Sequence, residues 1–270
     1  MCGRYVTVSK LSTIEKRFNV KATQPEQYQT NTNVSHGNLA PVITDQQPSA
    51  LQFFQFGFTP SWAKKQFYMI NARGEGDFNK ENHPNYSGQK GIVNKPMFRK
   101  AIRSQRCLVV ADAFIEGPKN EKLSKPYAVY LRDKKRPFSL AGIWDEWINQ
   151  VTGEIVKSFA IITTVTNGVM DKIGHHRSPV VLHAEDEQRW INPQLPLNEV
   201  TSLLKPFPTE EMNAYPISNA IKNPRANGLE LLDPIGERVF PEYEYKIDQD
   251  LKLYGMGESP ARARKNEERE

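Results

Sequence analysis

The sequence predicts an α+β fold in a single large domain. Runs of β-branched and aromatic residues, which favour strands, recur at irregular intervals, and short amphipathic segments separate some of them. This order differs from the regular strand and helix alternation of a doubly wound parallel sheet, and it contains no internal repeat. A chain of 270 residues can form one sizeable core. We expect one domain over residues 2–247 and a disordered tail over the Arg-, Lys- and Glu-rich residues 248–270.

The individual elements follow from composition and spacing. A first helix is expected at Ser9–Phe18, with Ser9 or Ser12 as its cap. Further helices are predicted at Phe98–Arg103, Glu185–Ile191 and Leu197–Leu204, and strands at Leu51–Phe58, Arg106–Ile115, Tyr127–Leu131, Phe138–Trp144, Ser158–Val165 and Val180–Leu182. The polar segment Gly74–Val93 is predicted to be a long excursion from the core, and loops of this kind often carry function.

Composition argues against several classes of protein. Hydrophobic residues make up 38% of the chain, and no apolar run is long enough to span a bilayer or to form the core of a signal peptide. The only cysteines, Cys2 and Cys107, are too few for a disulfide framework and fit a reducing cytosol. A zinc centre is not expected from so few ligands. The sequence therefore predicts a cytoplasmic protein without a membrane partner, metal or cofactor.

Positive charge is concentrated in one part of the chain. The formal net charge is +5, and residues 86–107 contain no acidic residue. The basic residues of this stretch are Lys90, Lys95, Arg99, Lys100, Arg103 and Arg106. Such a stretch suits a site for nucleic-acid phosphates. It also suits a solvated loop followed by a helix that buries Phe98 and Ile102, and the pattern leaves both interpretations open.

The first residues offer an unusual nucleophile. Removal of Met1 before a small residue would leave Cys2 as an N-terminal cysteine. Its α-amine and thiol, with ordinary pKa values of about 7.7–8.0 and about 8.5, would both react near neutral pH. Such an aminothiol can condense with an aldehyde to an imine, and the thiol can then close a five-membered thiazolidine. Taken alone, the first five residues favour an ordinary N-terminus that happens to contain Cys.

Two further segments contain candidate binding residues. In Ile70-Asn71-Ala72-Arg73, Asn71 could hydrogen-bond in a site and Arg73 could hold a phosphate, while the preceding Trp62 could stack on a base. A turn at Asn71 and a core position for Trp62 would explain the same residues.

Two other segments contain candidate proton-transfer groups. Glu116 ends a predicted strand and could act as a general acid or base if it is partly desolvated. In Gly174-His175-His176-Arg177, His175 could transfer protons and Arg177 could bind phosphate. A solvated carboxylate and a structural arginine are the alternatives.

Taken in order, six motifs resemble the SRAP (SOS-response-associated peptidase) family, which includes a vertebrate protein that binds 5-hydroxymethylcytosine-containing DNA in embryonic stem cells. The resemblance extends from Cys2 to about Asp233. The motifs are Met1-Cys2-Gly3-Arg4, Gly37-Asn38-Leu39-Ala40-Pro41, Ile70-Asn71-Ala72-Arg73, Cys107 through Glu116, His175 through Leu182, and Pro216-Ile217-Ser218.

The resemblance implies both a fold and a function. The expected fold is a single α+β domain whose strands curl into a barrel-like core flanked by helices. The expected activity is capture of abasic sites in single-stranded DNA as a thiazolidine DNA–protein crosslink, with or without lyase activity. We also expect a monomer, and association with the nucleoid if the source is bacterial.

Site residues are carried over by the same resemblance. Cys2 matches the nucleophile, Asn71 the site amide, Glu116 the site carboxylate and His175 the site histidine. The DNA path is expected to include Arg4, Trp62, Arg73 and Arg177. Two alternatives stay open, a cysteine peptidase that uses Cys2, and a noncovalent reader of single-stranded or modified DNA.

Overall fold

A computed structural model of the protein describes residues 3–132 and 135–242. The predicted tail and Cys2 lie outside the described residues. The strands are β1 Arg4–Thr7, β2 Lys21–Ala22, β3 Asn31–Val34, β4 Leu39–Thr44, β5 Gln47–Phe56, β6 Asn71–Arg73, β7 Arg106–Ala111, β8 Ala113–Glu116, β9 Tyr127–Leu131, β10 Phe138–Ile148, β11 Ile155–Thr164, β12 Ser178–Pro179, β13 Val181–Leu182 and β14 Met212–Pro216. The helices are α1 Leu11–Phe18, α2 Ala101–Ser104, α3 Gly168–Ile173, α4 Ala184–Trp190 and α5 Leu197–Ser202. Single 3₁₀ turns occur at Pro25–Gln27, Gly91–Asn94, Lys122–Ser124, Thr209–Glu211, Asn219–Lys222 and Leu229–Leu232.

Five strands close into a barrel, which confirms the expected α+β, barrel-like fold. The strands β11, β10, β7, β4 and β5 are neighbours in that order, and β5 pairs back onto β11. This closing pair is parallel, with Ser158 opposite Gln55 and Phe159 opposite Phe56. Closure removes the exposed edges that an open sheet of five strands would present.

A second sheet of five strands lies beside the barrel, in the order β14, β9, β8, β1 and β3. Phe56 shows how the two sheets share one core. Its ring stacks on Phe159 at 5.2 Å between centroids and meets the edge of Tyr5, from β1, at 5.4 Å. Alternate residues of β7 point to opposite sides, so that Val109 joins this core while Leu108 packs with the residues of α1, α2, α4 and α5.

The strand predicted at Arg106–Ile115 is divided at Asp112. The Asp112 carboxylate accepts hydrogen bonds from the backbone N–H groups of Val8, at 2.6 Å, and Ser9, at 2.8 Å. The Ser9 hydroxyl also donates to Asp112, and α1 begins after Lys10 without a side-chain cap. The expectation that Ser9 or Ser12 caps this helix is therefore wrong, because the Asp112 carboxylate takes the Ser9 hydroxyl instead.

The excursion at 74–93 is anchored to the barrel by a buried acid. Glu75 is fully buried and accepts hydrogen bonds from Thr164 Oγ1 at 3.0 Å and the Val165 N–H at 3.1 Å. Arg177 pairs with it at 2.8 Å. The long loop therefore has a fixed starting point at the end of β11.

The basic stretch is used largely within the fold. Arg106 is buried and donates to the carbonyls of Trp190, Ile102 and Asn192, while Arg103 donates to the carbonyl of Val93. Phe98 is buried as the helical interpretation expects. None of the described helices could cross a bilayer, since the longest has eight residues and a span takes about 20.

Candidate functional site

A cavity of about 890 Å³ opens where β1, β8 and the loop after α3 meet. Its lining contains three histidines and five basic side chains. The lining residues are Gly3, Arg4, His36, Ile70, Arg73, Ile115 through Ser124, His175, His176 and Lys222. A cavity with this charge is suited to an anionic ligand.

The cavity is built next to the N-terminal end of β1. In the antiparallel pair of β1 and β8, Arg4 lies opposite Ile115. That register brings Gly3 to the level of Glu116, and both line the cavity. Successive Cα atoms are about 3.8 Å apart, so Gly3 fixes where the chain enters the site.

Glu116 and His175 form a buried pair in this cavity. His175 Nε2 lies 3.5 Å from Glu116 Oε2, and the two side chains are 4% and 7% exposed. His175 Nδ1 lies 2.9 Å from the carbonyl oxygen of Arg177. Because a carbonyl only accepts, we assign the proton to Nδ1, which leaves the Nε2 lone pair facing Glu116.

Burial tunes both groups in opposite directions. Desolvation raises the pKa of Glu116 from 4.5 to about 7, although the hydrogen bond from the Gly117 backbone opposes the shift. Desolvation lowers the pKa of His175 from 6.5 to about 4. At neutral pH the imidazole is therefore uncharged, and the carboxyl group is divided between its acid and base forms.

The loop after Glu116 folds back over the cavity. A Cβ atom at Gly117 would lie 1.9 Å from the carbonyl oxygen of Lys122, so the close approach of this loop requires glycine. Lys119 and Lys122 on this loop are exposed and line the cavity. Lys222 lines it as well, and its carbonyl oxygen lies 3.5 Å from Arg4 Nη2.

The other residues nominated from the sequence differ in whether they line the cavity. Asn71 begins β6 and donates to the carbonyl of Ile70, a lining residue. Arg73 lines the cavity and is held by hydrogen bonds to the Asn79 carbonyl at 3.0 Å and Asn82 Oδ1 at 2.9 Å. Trp62 is 60% exposed and outside the lining.

Arg177 is also outside the lining. It is 2% exposed, and its Nη2 donates to Glu75 at 2.8 Å and to Thr163 Oγ1 at 3.0 Å. A phosphate contact would require this buried arrangement to open.

The chain matches a known family. A family model described as SOS response associated peptidase (SRAP) matches residues 1–224. The chain belongs to this family. It is 32% identical over 240 residues to the abasic site processing protein YoqW of Bacillus subtilis, covering 86% of this chain and 99% of that protein. The abasic site processing protein HMCES of Xenopus tropicalis is 23% identical over 244 residues, covering 78% of this chain and 68% of that protein.

Solved structures agree on the fold. A protein from Bacteroides thetaiotaomicron matches with a TM-score of 0.71 at 32% identity, covering 83% of this chain and 97% of that one. A protein from Bordetella bronchiseptica matches with a TM-score of 0.63 at 19% identity, covering 80% of this chain and all of that one, which shows the fold alone.

Sequence analysis missed part of the lining. His36, Lys119, Lys122, His176 and Lys222 were not singled out, although His176 follows His175 directly and Lys119 follows Glu116 by three positions. The tandem histidines and the lysines after Glu116 were the available signals. His36 directly precedes the Gly37–Pro41 motif and Lys222 lies four positions after Ser218 of the Pro216-Ile217-Ser218 motif, but neither residue was nominated itself, because both reach the cavity only through the fold.

Proposed function

We propose that this protein captures the ring-opened aldehyde of abasic sites in single-stranded DNA through Cys2. The observation that carries the proposal is the Glu116–His175 pair, buried in a cation-lined cavity whose wall includes Gly3. Cys2 directly precedes Gly3 in the sequence, which supports the assignment of Cys2 to this site. Membership of a family whose curated relatives are named abasic site processing proteins supports the same conclusion.

The chemistry needs no oxidant, metal or cofactor. After removal of Met1, the Cys2 amine adds to the aldehyde carbon and water leaves, which gives an imine. The thiol sulfur then adds to the imine carbon, and its proton passes to the nitrogen, which closes the thiazolidine. One C–N and one C–S bond form, and one water molecule is released.

Glu116 is assigned the proton transfers. A carboxyl group with a pKa of about 7 can donate a proton to the departing hydroxyl and accept one from the amine at the same pH. His175 Nε2 faces Glu116 and can receive its proton. His175 is assigned either the transfer of that proton to the sugar ring oxygen during opening or the steadying of the adjacent phosphate. Asn71 is assigned the orientation of the aminothiol.

The DNA path follows the cations. Arg4 and Arg73, which line the cavity, are assigned phosphate contacts on either side of the lesion. The exposed indole of Trp62 offers a face for a base. Arg177 remains a predicted phosphate contact, conditional on release from Glu75.

Covalent capture is tested by incubating Met1-processed protein with a single-stranded oligonucleotide that contains one abasic site. The products are separated on a denaturing gel beside a Cys2→Ala variant, and mass spectrometry of the free protein verifies Met1 removal. We expect a slow band that requires Cys2.

The alternative functions predict different results with the same protein preparations. A noncovalent reader would retain oligonucleotide binding without a band, and a peptidase would turn over peptides in a Cys2-dependent manner without DNA. A strand break without a stable band would indicate lyase chemistry through the imine alone. Any of these in place of the Cys2-dependent band would contradict the proposal.

A further inference from the structure

One rim of the cavity carries an exposed aromatic pair that the chemistry above leaves unused. His36 lines the cavity, and its ring meets the ring of Tyr68 nearly edge to face, with centroids 6.1 Å apart. Tyr68 is 48% exposed. The apolar side chains of Leu39 and Met69, close to this pair in sequence, are 57% and 39% exposed.

Backbone contacts hold Tyr68 in a fixed position. Gly57, with φ +123°, lies directly beneath it, because a Cβ atom on Gly57 would be 3.0 Å from Tyr68 Cδ1 and 3.2 Å from Tyr68 Cα. The neighbouring residues Phe58 and Met69 exchange two backbone hydrogen bonds, at 3.0 and 3.2 Å. Tyr68 is therefore held at a fixed place while much of its ring remains accessible.

The segment that contains Tyr68 continues directly into the candidate site. Ile70, two residues after Tyr68, lines the cavity, and Asn71 follows it. The cations Arg4, Arg73 and Lys222 line the cavity that His36 borders. An aromatic surface beside a cationic cavity matches a single-stranded nucleic acid, which presents flat bases and regularly spaced phosphates.

We propose that Tyr68 and His36 form a stacking platform for a base that neighbours the lesion in the bound strand. This inference rests on the proposed function for the identity of the strand. The platform holds a base by its face, so that it tolerates any sequence, and the cavity cations hold the phosphates. The platform thereby fixes which nucleotide of the bound DNA enters the cavity, and so brings the abasic sugar over Glu116.

The test uses noncovalent binding, so that it does not depend on capture. Full-length protein carrying Cys2→Ala is titrated with a single-stranded oligonucleotide that contains a stable tetrahydrofuran abasic analogue beside 2-aminopurine. Adding Tyr68→Ala is expected to weaken binding about 5- to 100-fold and to abolish the quenching of 2-aminopurine. Tyr68→Phe, which keeps the ring, should retain both, and His36→Ala should weaken them in part.

Two controls separate stacking from other causes. Phe78→Ala removes another exposed aromatic, one outside the cavity lining, and should leave binding unchanged. A strand made only of tetrahydrofuran-phosphate units has no bases, so Tyr68→Ala should not change its affinity. The platform would be overturned if Tyr68→Ala lowered the affinity equally for strands with and without bases, or lowered it for neither.

The outcomes also separate the two proposals. Loss of base-dependent binding in Tyr68→Ala, together with no Cys2-dependent adduct in the Cys2-containing protein, would leave the platform standing and remove covalent capture. An adduct that forms normally, with unchanged binding by Tyr68→Ala, would remove the platform alone.

Discussion

At the scale of single residues, Glu116 and His175 lie in environments that differ strongly from those of free side chains. Burial favours the neutral form of each, so the carboxyl group titrates near pH 7 and the imidazole near pH 4. The pKa of Glu116 in the folded protein lies above its ordinary value of 4.5. The contribution of Glu116 to the free energy of unfolding is therefore fully present below pH 4.5 and is lost as the pH rises through about 7. The protein thus holds a proton at this site at the expense of some stability in alkaline solution.

This pair predicts a specific pH dependence of crosslinking. A group that alternates between acid and base works best near its own pKa, so the single-turnover rate should peak around pH 7. Glu116→Gln should slow the reaction about 100-fold and remove that peak, because an amide of the same shape cannot exchange the proton. Rates are measured from quenched time courses on denaturing gels, and an unchanged rate and profile in the variant would remove Glu116 from proton transfer.

At the scale of elements, the ion pair between Glu75 and Arg177 connects the excursion at 74–93 to the segment that carries His175. Both side chains are 2% exposed or less. Arg177 supplies the carbonyl that binds His175 Nδ1, so the pair also fixes the backbone on which the orientation of His175 depends. Its importance for the site therefore does not require contact with DNA.

Breaking this pair on one side should destabilise the protein strongly. Glu75→Ala leaves the Arg177 guanidinium buried without its carboxylate, and such a loss typically costs about 3–5 kcal/mol in the free energy of unfolding. The free energy is measured by urea unfolding followed by circular dichroism. Glu121→Ala, which removes an exposed partner of Lys125, is the matched control and should leave the transition midpoint unchanged. Equal midpoints for the two variants would contradict the anchoring role of Glu75.

Prediction from sequence succeeded best for elements whose residues carry a local signal. The strand Tyr127–Leu131 was predicted with its observed bounds, and α1 and α4 within two residues. The strands Asn31–Val34 and Leu39–Thr44 were missed, since the first is polar and the second contains Pro41, which argues locally against a strand. Both are specified by their pairing partners rather than by their own composition.

At the scale of the whole molecule, barrel closure could not be derived from local pattern. It depends on pairing between Gln55 and Ser158, which lie far apart in sequence, and only the family resemblance implied it. The site has the same origin, because the pairing of β1 with β8 brings the N-terminal segment to Glu116, and the turn after α3 adds His175. Individual site residues could be nominated from the sequence, but their meeting required the tertiary fold.

The charge of the assembled cavity predicts how binding responds to salt. Affinity for an intact single strand should fall steeply as salt rises, with a slope of about 0.7 in log affinity per log salt for each neutralised phosphate. Replacing Lys119 or Lys222 by Gln should each reduce that slope by up to this amount. Fluorescence anisotropy at several salt concentrations measures the slope, with Lys205→Gln, outside the cavity lining, as the control. A flat response in the unmodified protein would contradict a phosphate path along the cavity.

The most direct measurement is the mass and attachment point of the adduct formed with an abasic oligonucleotide. The thiazolidine mechanism predicts the sum of the Met1-processed protein and the opened-sugar DNA minus one water, without any reductant to trap it. Peptide mapping after proteolysis should place the DNA on Cys2, with both its amine and its thiol unavailable to alkylating reagents. Attachment at a lysine such as Lys119, or an adduct that survives only after reduction, would contradict capture by the Cys2 aminothiol.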